Sequence, residues 1–350
     1  EIRETFDRWS NAREDWDGAA REDIDFYLGN HFSDDEMDEL SSRNQSAVPI
    51  DRLYSAIEQF KAIITSKPPK FSAIGREDSD NKLAHAWKVI LEYIWDISDG
   101  DEQFKQAVHD YTVTGLGYFY AYIDKEADYG RGEIKFKHLN PFKVYVDPNS
   151  RDRYFDDASG MMVSNIMSKM QLLDAYPQLG EPIKEGEDKT LIDSIETVSE
   201  EDWPSKTNRR TMGSFTPDEI KDYDYEGSSE KFRLIEYYTK TKVPYYRLLD
   251  KRSNQEKIIA QEEFNRLSQD KQFLNAIEKG FIDFVEVQQT RIRQTCSVGQ
   301  IVLYDLVLDT DIYPIVPVPN IWTNTPYPMS DVRKNKDFQR FLNKTVSLIT

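Results

Sequence analysis

The chain has 350 residues, of which 39% are hydrophobic and 31% charged, with 63 acidic against 45 basic side chains and a net charge of −18. That balance excludes a chain that as a whole grips nucleic acid through its phosphates, and no apolar run approaches the roughly 20 residues of a membrane helix. A lone cysteine, Cys296, excludes internal disulfides and thiolate metal clusters and suits a reducing compartment. The 20 Tyr, 18 Phe and 6 Trp exclude a disordered chain, because something must bury bodies of that size. The length alone suggests about two domains or three.

The acidity is regional. Residues 1–50 hold 14 acids and 5 bases, and residues 181–230 hold 15 acids and 6 bases, which together equal the whole imbalance. The last twenty residues reverse it, with Arg333, Lys334, Lys336, Arg340 and Lys344 against Asp331 and Asp337. Such segregation points to surfaces with different partners. The first residue is not Met, and the final FLNKTVSLIT carries no helix stop, so the sequence reads as an internal segment of a longer protein.

In chain order, residues 1–28 predict a helix through Ile2, Phe6, Trp9, Trp16, Ile24, Tyr27 and Leu28. HFSDDEMDEL and SSRNQS read as an acidic and polar loop. A helix from Asp51 runs through Leu53, Ile57, Phe60 and Ile64 and stops at Lys67-Pro68-Pro69. A better-marked one covers 79–97, with Leu83, Trp87, Ile90, Leu91 and Ile94 along one face. Asp99 and Asp101 suit the cap of the next, which holds Phe104, Val108 and Tyr111. At Gly115 the period becomes two. Tyr118, Tyr120 and Tyr122 alternate up to a Gly-rich turn, and EIKFKHL alternates back as a hairpin. FKVYV is a third strand, residues 160–166 a further one, and a short helix precedes Tyr176-Pro177.

Residues 181–230 read as a solvated acidic insertion. FRLIEYYTK and PYYRLL then read as two strands. Phe264, Leu267, Leu274 and Ile277 mark one helix ended by Gly280, and FIDFVEVQQTRIRQT with QIVLYDLVL gives two long strands joined at Ser297-Val298-Gly299. YPIVPVPNIWTNTPYP lacks the donors for a central strand and should lie extended. A final helix is capped by Ser330 and Asp331 and apolar at Phe338, Phe341, Leu342, Val346 and Ile349. The fold class is α+β: N-terminal helices, then antiparallel strands and hairpins, ending in a long helix.

Catalytic chemistry finds little support. His31, His85, His109 and His138 are far apart and show no H-x-x-x-H spacing, and there is no Walker lysine loop. Thr114-Gly115-Leu116-Gly117 precedes a strand, whereas a dinucleotide fingerprint needs its glycines to open a helix, so it reads as a helix-to-strand joint. Cys296 has no histidine nearby in sequence and reads as inert. Asp34-Asp35 and Asp156-Asp157 are commonplace in an acidic chain. No catalytic, metal or cofactor residues are nominated. One stripe is suggestive: Arg333, Lys336, Arg340 and Lys344, spaced 3, 4 and 4, share a face of the last helix. It reads either as a solvated face or as a cationic row that meets a phosphate backbone or an acidic neighbour subunit.

The segment VTGLGYFYAYID…GRGEIKFKHLNPFKVYVDPNSRDRYFDDASGMM (113–162) resembles a stretch of tailed-bacteriophage portal proteins, nearest the short-tailed and crAss-like branch. Asp25-Phe26-Tyr27-Leu28-Gly29-Asn30, Val48-Pro49-Ile50, Lys67-Pro68-Pro69-Lys70 and the Ile312–Pro319 segment before a long helix agree with it. The resemblance implies a non-enzymatic, cofactor-free structural subunit of a ring, usually dodecameric, at one capsid vertex. Viral DNA is packaged and ejected through such a ring, which meets the terminase, a head–tail adaptor and the major capsid protein or scaffold. It also implies a virion component assembled in the host cytoplasm, without a membrane. Residues 1–115 would be the helical part of the wing, 116–329 its β-rich part with the acidic insertion, and 330–350 the start of a stem helix. Another head–tail connector or scaffold component is the alternative, and a nuclease with an acidic metal cluster a more distant one.

Overall fold

Aromatic residues spaced along one face make α1 (Ile2–Tyr27) the member on which the remainder is assembled. The computed structural model describes residues 1–45, 49–75, 80–179, 231–251 and 255–348. The acidic insertion expected at 181–230, together with Val48 and Ile349, lies outside the described residues. Phe6 and Trp9 of α1 enter a cluster with Tyr145, Met162 and Ile235. Trp16 and Ala20 enter the largest one, with Tyr118, Phe155, Met161, Tyr238, Ile292 and Ile315. Phe26 and Tyr27 join Leu53, Ile57, Val113 and Val332. Burying each such ring stabilises the fold by about 2–3 kcal/mol, so one helix ties three apolar clusters together.

The segment read as an acidic loop contains α2 (Asp34–Ser42). Ser33 caps it by accepting from the Glu36 amide while Glu36 accepts from the Ser33 amide, a reciprocal box that fixes the start despite low hydrophobicity. Then come α3 (Leu53–Thr65), α4 (Asn81–Ile97) and α5 (Gly100–Val113), close to expectation.

The predicted hairpin is β1 (Leu116–Asp124) with β2 (Glu133–Leu139), in register from Tyr118–Leu139 to Asp124–Glu133. The joint before it needs its glycines. Gly115 has φ +91°, and a Cβ there would lie 2.6 Å from the Met329 backbone; one on Gly117 would lie 2.6 Å from the Ala107 carbonyl oxygen.

β3 (Val144–Val146) and β4 (Gly160–Ser168) follow, then α6 (Lys169–Ala175). The two strands expected at FRLIEYYTK and PYYRLL are one, β5 (Lys231–Asp250), which runs straight through Pro244. The proline is tolerated because it falls between the end of β4, opposite Thr239, and the start of β6 (Gln255–Ala260), opposite Tyr245. The single helix expected before Gly280 is two, α7 (Gln261–Leu267) and α8 (Lys271–Glu278). β7 (Ile282–Val298) and β8 (Ile301–Leu308) complete a sheet of order β3-β4-β5-β7-β8, with β6 also on β5. The Pro-rich segment supplies β9 (Ile315–Pro319), an edge strand of the sheet β2-β1-β9, as its missing amide donors require. The chain closes with α9 (Asp331–Ser347). The class is α+β, as the sequence reading has it.

Candidate functional site

The basic row lies on α9, and the structure turns that helix the opposite way from expectation. Its buried face is Val332, Lys336, Gln339, Asn343 and Ser347, while Phe338 and Phe341 are 71% and 69% exposed. Phe338 and Phe341 point outward, Leu342 and Val346 are half-buried, and apart from Val332 the buried residues are polar. A polar inner face is stable only if most groups on it find partners. Here most partners come from α1, from His31 and from residues 50–53, while Ser347 Oγ and Arg333 Nη2 are buried without one among the described residues.

Asp23 of α1 is fully buried and takes three donors: Ser330 Oγ at 2.8 Å, Arg333 Nε at 2.9 Å and Lys336 Nζ at 3.1 Å. Lys336 also reaches Glu22 at 2.7 Å, and Arg340 pairs with both Glu22 and Asp337. Burial pushes the Glu22 carboxyl up, but Lys336 and Arg340 outweigh it and hold the group below the usual carboxylate range. Ser330 is the helix cap as well, accepting from the Arg333 amide. The caps predicted at Ser330 and the bases predicted on this face are therefore one construction.

Further along the same face, Gln339 Oε1 accepts from the Arg52 and Leu53 amides at 3.3 and 3.2 Å, and its Nε2 donates to Ile50 O and Asn343 Oδ1. Asn343 Oδ1 also accepts from the Ile50 amide, and its Nδ2 lies 2.9 Å from His31 Nδ1. His31 Nε2 faces Phe26 O at 3.1 Å, so it carries the ring proton and Nδ1 is the acceptor. Burial holds His31 below the ordinary histidine range.

Of the predicted row, then, Arg333, Lys336 and Arg340 meet an acidic partner in α1 of their own chain. A fully solvated face fails at Lys336, which is only 6% exposed, while the Arg340 side chain is about half exposed. Lys344 is exposed and borders a groove of about 340 Å³ between α2 and α9, across from Glu36 and Glu39.

A second buried cation was missed by sequence reasoning. Arg13 of α1 is 3% exposed, donates to the carbonyls of Pro141, Phe142 and Val144, pairs with Asp17, and lies 3.9 Å from the Tyr145 ring centroid. It clamps the Asn140-Pro141 turn to α1. The signal available was a charge on the apolar stripe between Trp9 and Trp16.

The remaining polar groups are absorbed by structure. Asp147 accepts from the Asn149 amide and from Ser159, and Asp157 from Ser150 and the Arg151 amide, so the D-P-N-S segment is a carboxylate-bound turn. His138 Nε2 lies 2.5 Å from Asp110, and Lys61 donates to His109 Nδ1 at 3.0 Å. His85 is exposed. Cys296 is buried and its thiol is pushed up to about 12 by burial and by Glu236, the opposite of an activated nucleophile. Among the described residues, no three His, Cys, Asp or Glu side chains gather where they could hold a metal ion.

What stands out instead is apolar surface. α4 has no buried residue: Leu83 is 60% exposed, Trp87 53% and Tyr93 51%, with Val89, Ile90 and Leu91 also in solvent. The sequence places an apolar stripe along one face of this helix, and its last turn is the part seen to be anchored among the described residues. There Trp95 lies near Phe71, Phe136 and Phe104 and donates to Asp101, and Tyr93 donates to Glu133. Large exposed apolar helix faces among the described residues have the character of an assembly component.

The family model for Phage P22-like portal proteins matches residues 3–350, and the chain belongs to that family. Its role is the structural one of a phage portal, part of a capsid-associated oligomeric assembly in the virion. No curated protein matched the chain. Among the described residues no helix is long and apolar enough to cross a membrane.

Proposed function

We propose that this chain is the repeated wall segment of a ring, dodecameric by analogy with the family, that forms the conduit for viral DNA at one capsid vertex. The observation that carries the proposal is the family match across nearly the whole chain. DNA moves through the ring during packaging and ejection, and the ring docks the terminase, the head–tail adaptor and capsid or scaffold protein. Residues 1–329 form the wing, with helices to about 115 and strands beyond, and the helix from 330 begins the stem. The subunit itself is not an enzyme.

The electrostatics support a passage that does not hold its cargo. Each phosphate neutralised by a protein cation releases a counterion and tightens the grip, so a wall of net charge −18 with three helical cations already paired internally lets a polyanion slide. Lys344 is the member of the row left for contact with DNA or a neighbour; Arg333, Lys336 and Arg340 act by seating the helix. The test is negative-stain imaging and light scattering of the full chain. Rings with a central hole are expected, and a protein that stays strictly monomeric at every concentration overturns the proposal.

A further inference from the structure

We infer that the exposed face of α4 is a contact between copies, covered by a different surface of a second copy of this chain. The inference rests on the ring reading above and adds to it the identity of one contacting face.

Across the first three turns of α4 no residue is buried and most are exposed, although the helix is rich in apolar residues. A lone helix of this length is marginal in water, and one with apolar residues on several sides is found buried. Leu83, Trp87, Val89, Ile90, Leu91 and Tyr93 together leave roughly 600 Å² in solvent, taking about 150–250 Å² for a full aromatic ring. That is most of the ~800 Å² per partner of a stable interface. The composition, aromatic and aliphatic with few charges at the centre, is that of an interface core and not of its rim.

Charge selects the occupant. Two copies at −18 each repel, and most surfaces of this chain would bring acid to acid. α4 carries no net charge: Lys82 and Lys88 balance Glu92 and Asp96, and Lys88 pairs with Glu92 at 3.7 Å. A second copy can approach here without that repulsion, and the hydrophobic term then decides. In a ring every copy uses one face on each side, so α4 meets a different patch of its neighbour and not another α4.

The test uses the full chain and the double variant Leu83→Lys, Trp87→Glu, whose sites touch no core cluster. Light scattering across a concentration series is expected to show the variant dissociating at concentrations at least 100-fold higher than the wild type, with unchanged far-UV circular dichroism. In parallel, hydrogen exchange of the wild type should show α4 amides slowing as concentration rises. Variant rings as stable as wild type overturn the inference while leaving the ring reading intact. Protection of α4 that is independent of concentration also overturns it, because another part of the same chain then covers the helix. A wild type that never associates overturns both, and is recognised without the variant.

Discussion

Helices α1 and α4 are both long and each carries two tryptophans, and the structure uses them in opposite ways. α1 buries Phe6, Trp9, Trp16 and Phe26 in three separate clusters, while α4 buries nothing. An apolar stripe states what has to be covered and is silent about which surface covers it. In α1 the cover is the chain's own sheets; in α4 the described residues leave most of the stripe uncovered. α9 shows a third solution, in which the covered side is polar and the greasy side is out.

The sharpest way to break this comparison is a matched pair of substitutions. Trp16→Ala should destabilise the monomer by about 3–5 kcal/mol, since it opens the largest cluster and removes the indole donor to Pro328 O. Trp87→Ala should change the dilute monomer by no more than about 0.5 kcal/mol. Denaturant titrations of both variants decide it, and a comparable loss at Trp87 would mean that α4 is covered within its own chain.

Arg13→Met should cost about 3 kcal/mol or more, because it strands three carbonyls and Asp17 in a buried place. Gly115→Ala should cost roughly 2–3 kcal/mol, combining strain at a positive φ with a clash against residue 329. Lys336→Met should cost about 2 kcal/mol, less than a lone buried pair because Arg333 and Ser330 still hold Asp23. Its signature is faster hydrogen exchange confined to α9.

The smallest effect is on pH. Burial depresses His31, and burial together with Lys61 depresses His109, so the unfolded chain takes up these protons first as pH falls. Their contribution is complete above the ordinary histidine value and is lost as pH falls through the lower folded values. For His31 the added proton would sit on Nδ1, facing the Asn343 amide, so acid should loosen the end of α9. Denaturation midpoints between pH 7 and 5 should slope less in His31→Gln than in the wild type.

Much of this architecture can be read from local pattern. The helix-to-strand change at Gly115, the Tyr118–Tyr120–Tyr122 alternation and the Ser330 cap each carry their own physics, and each element forms where its residues ask for it. α2 was legible too, since Ser33 and Glu36 stand three apart, but acidic composition masked the box. Pro244 misled because its tolerance depends on which neighbouring strands happen to end beside it. The basic row was visible, but its orientation was not: Arg333 and Lys336 face Asp23 only because three-dimensional packing brings residues 23 and 336 together. A tertiary ion pair between helices that far apart leaves no periodic trace.

One helix with three clusters strung along it has a thermodynamic consequence. Because Trp9, Trp16 and Phe26 share a single hydrogen-bonded rod, fraying at one station withdraws support from the other two. The helical and sheet portions should therefore melt as a single cooperative unit, and a subunit built in this way yields to load all at once or not at all.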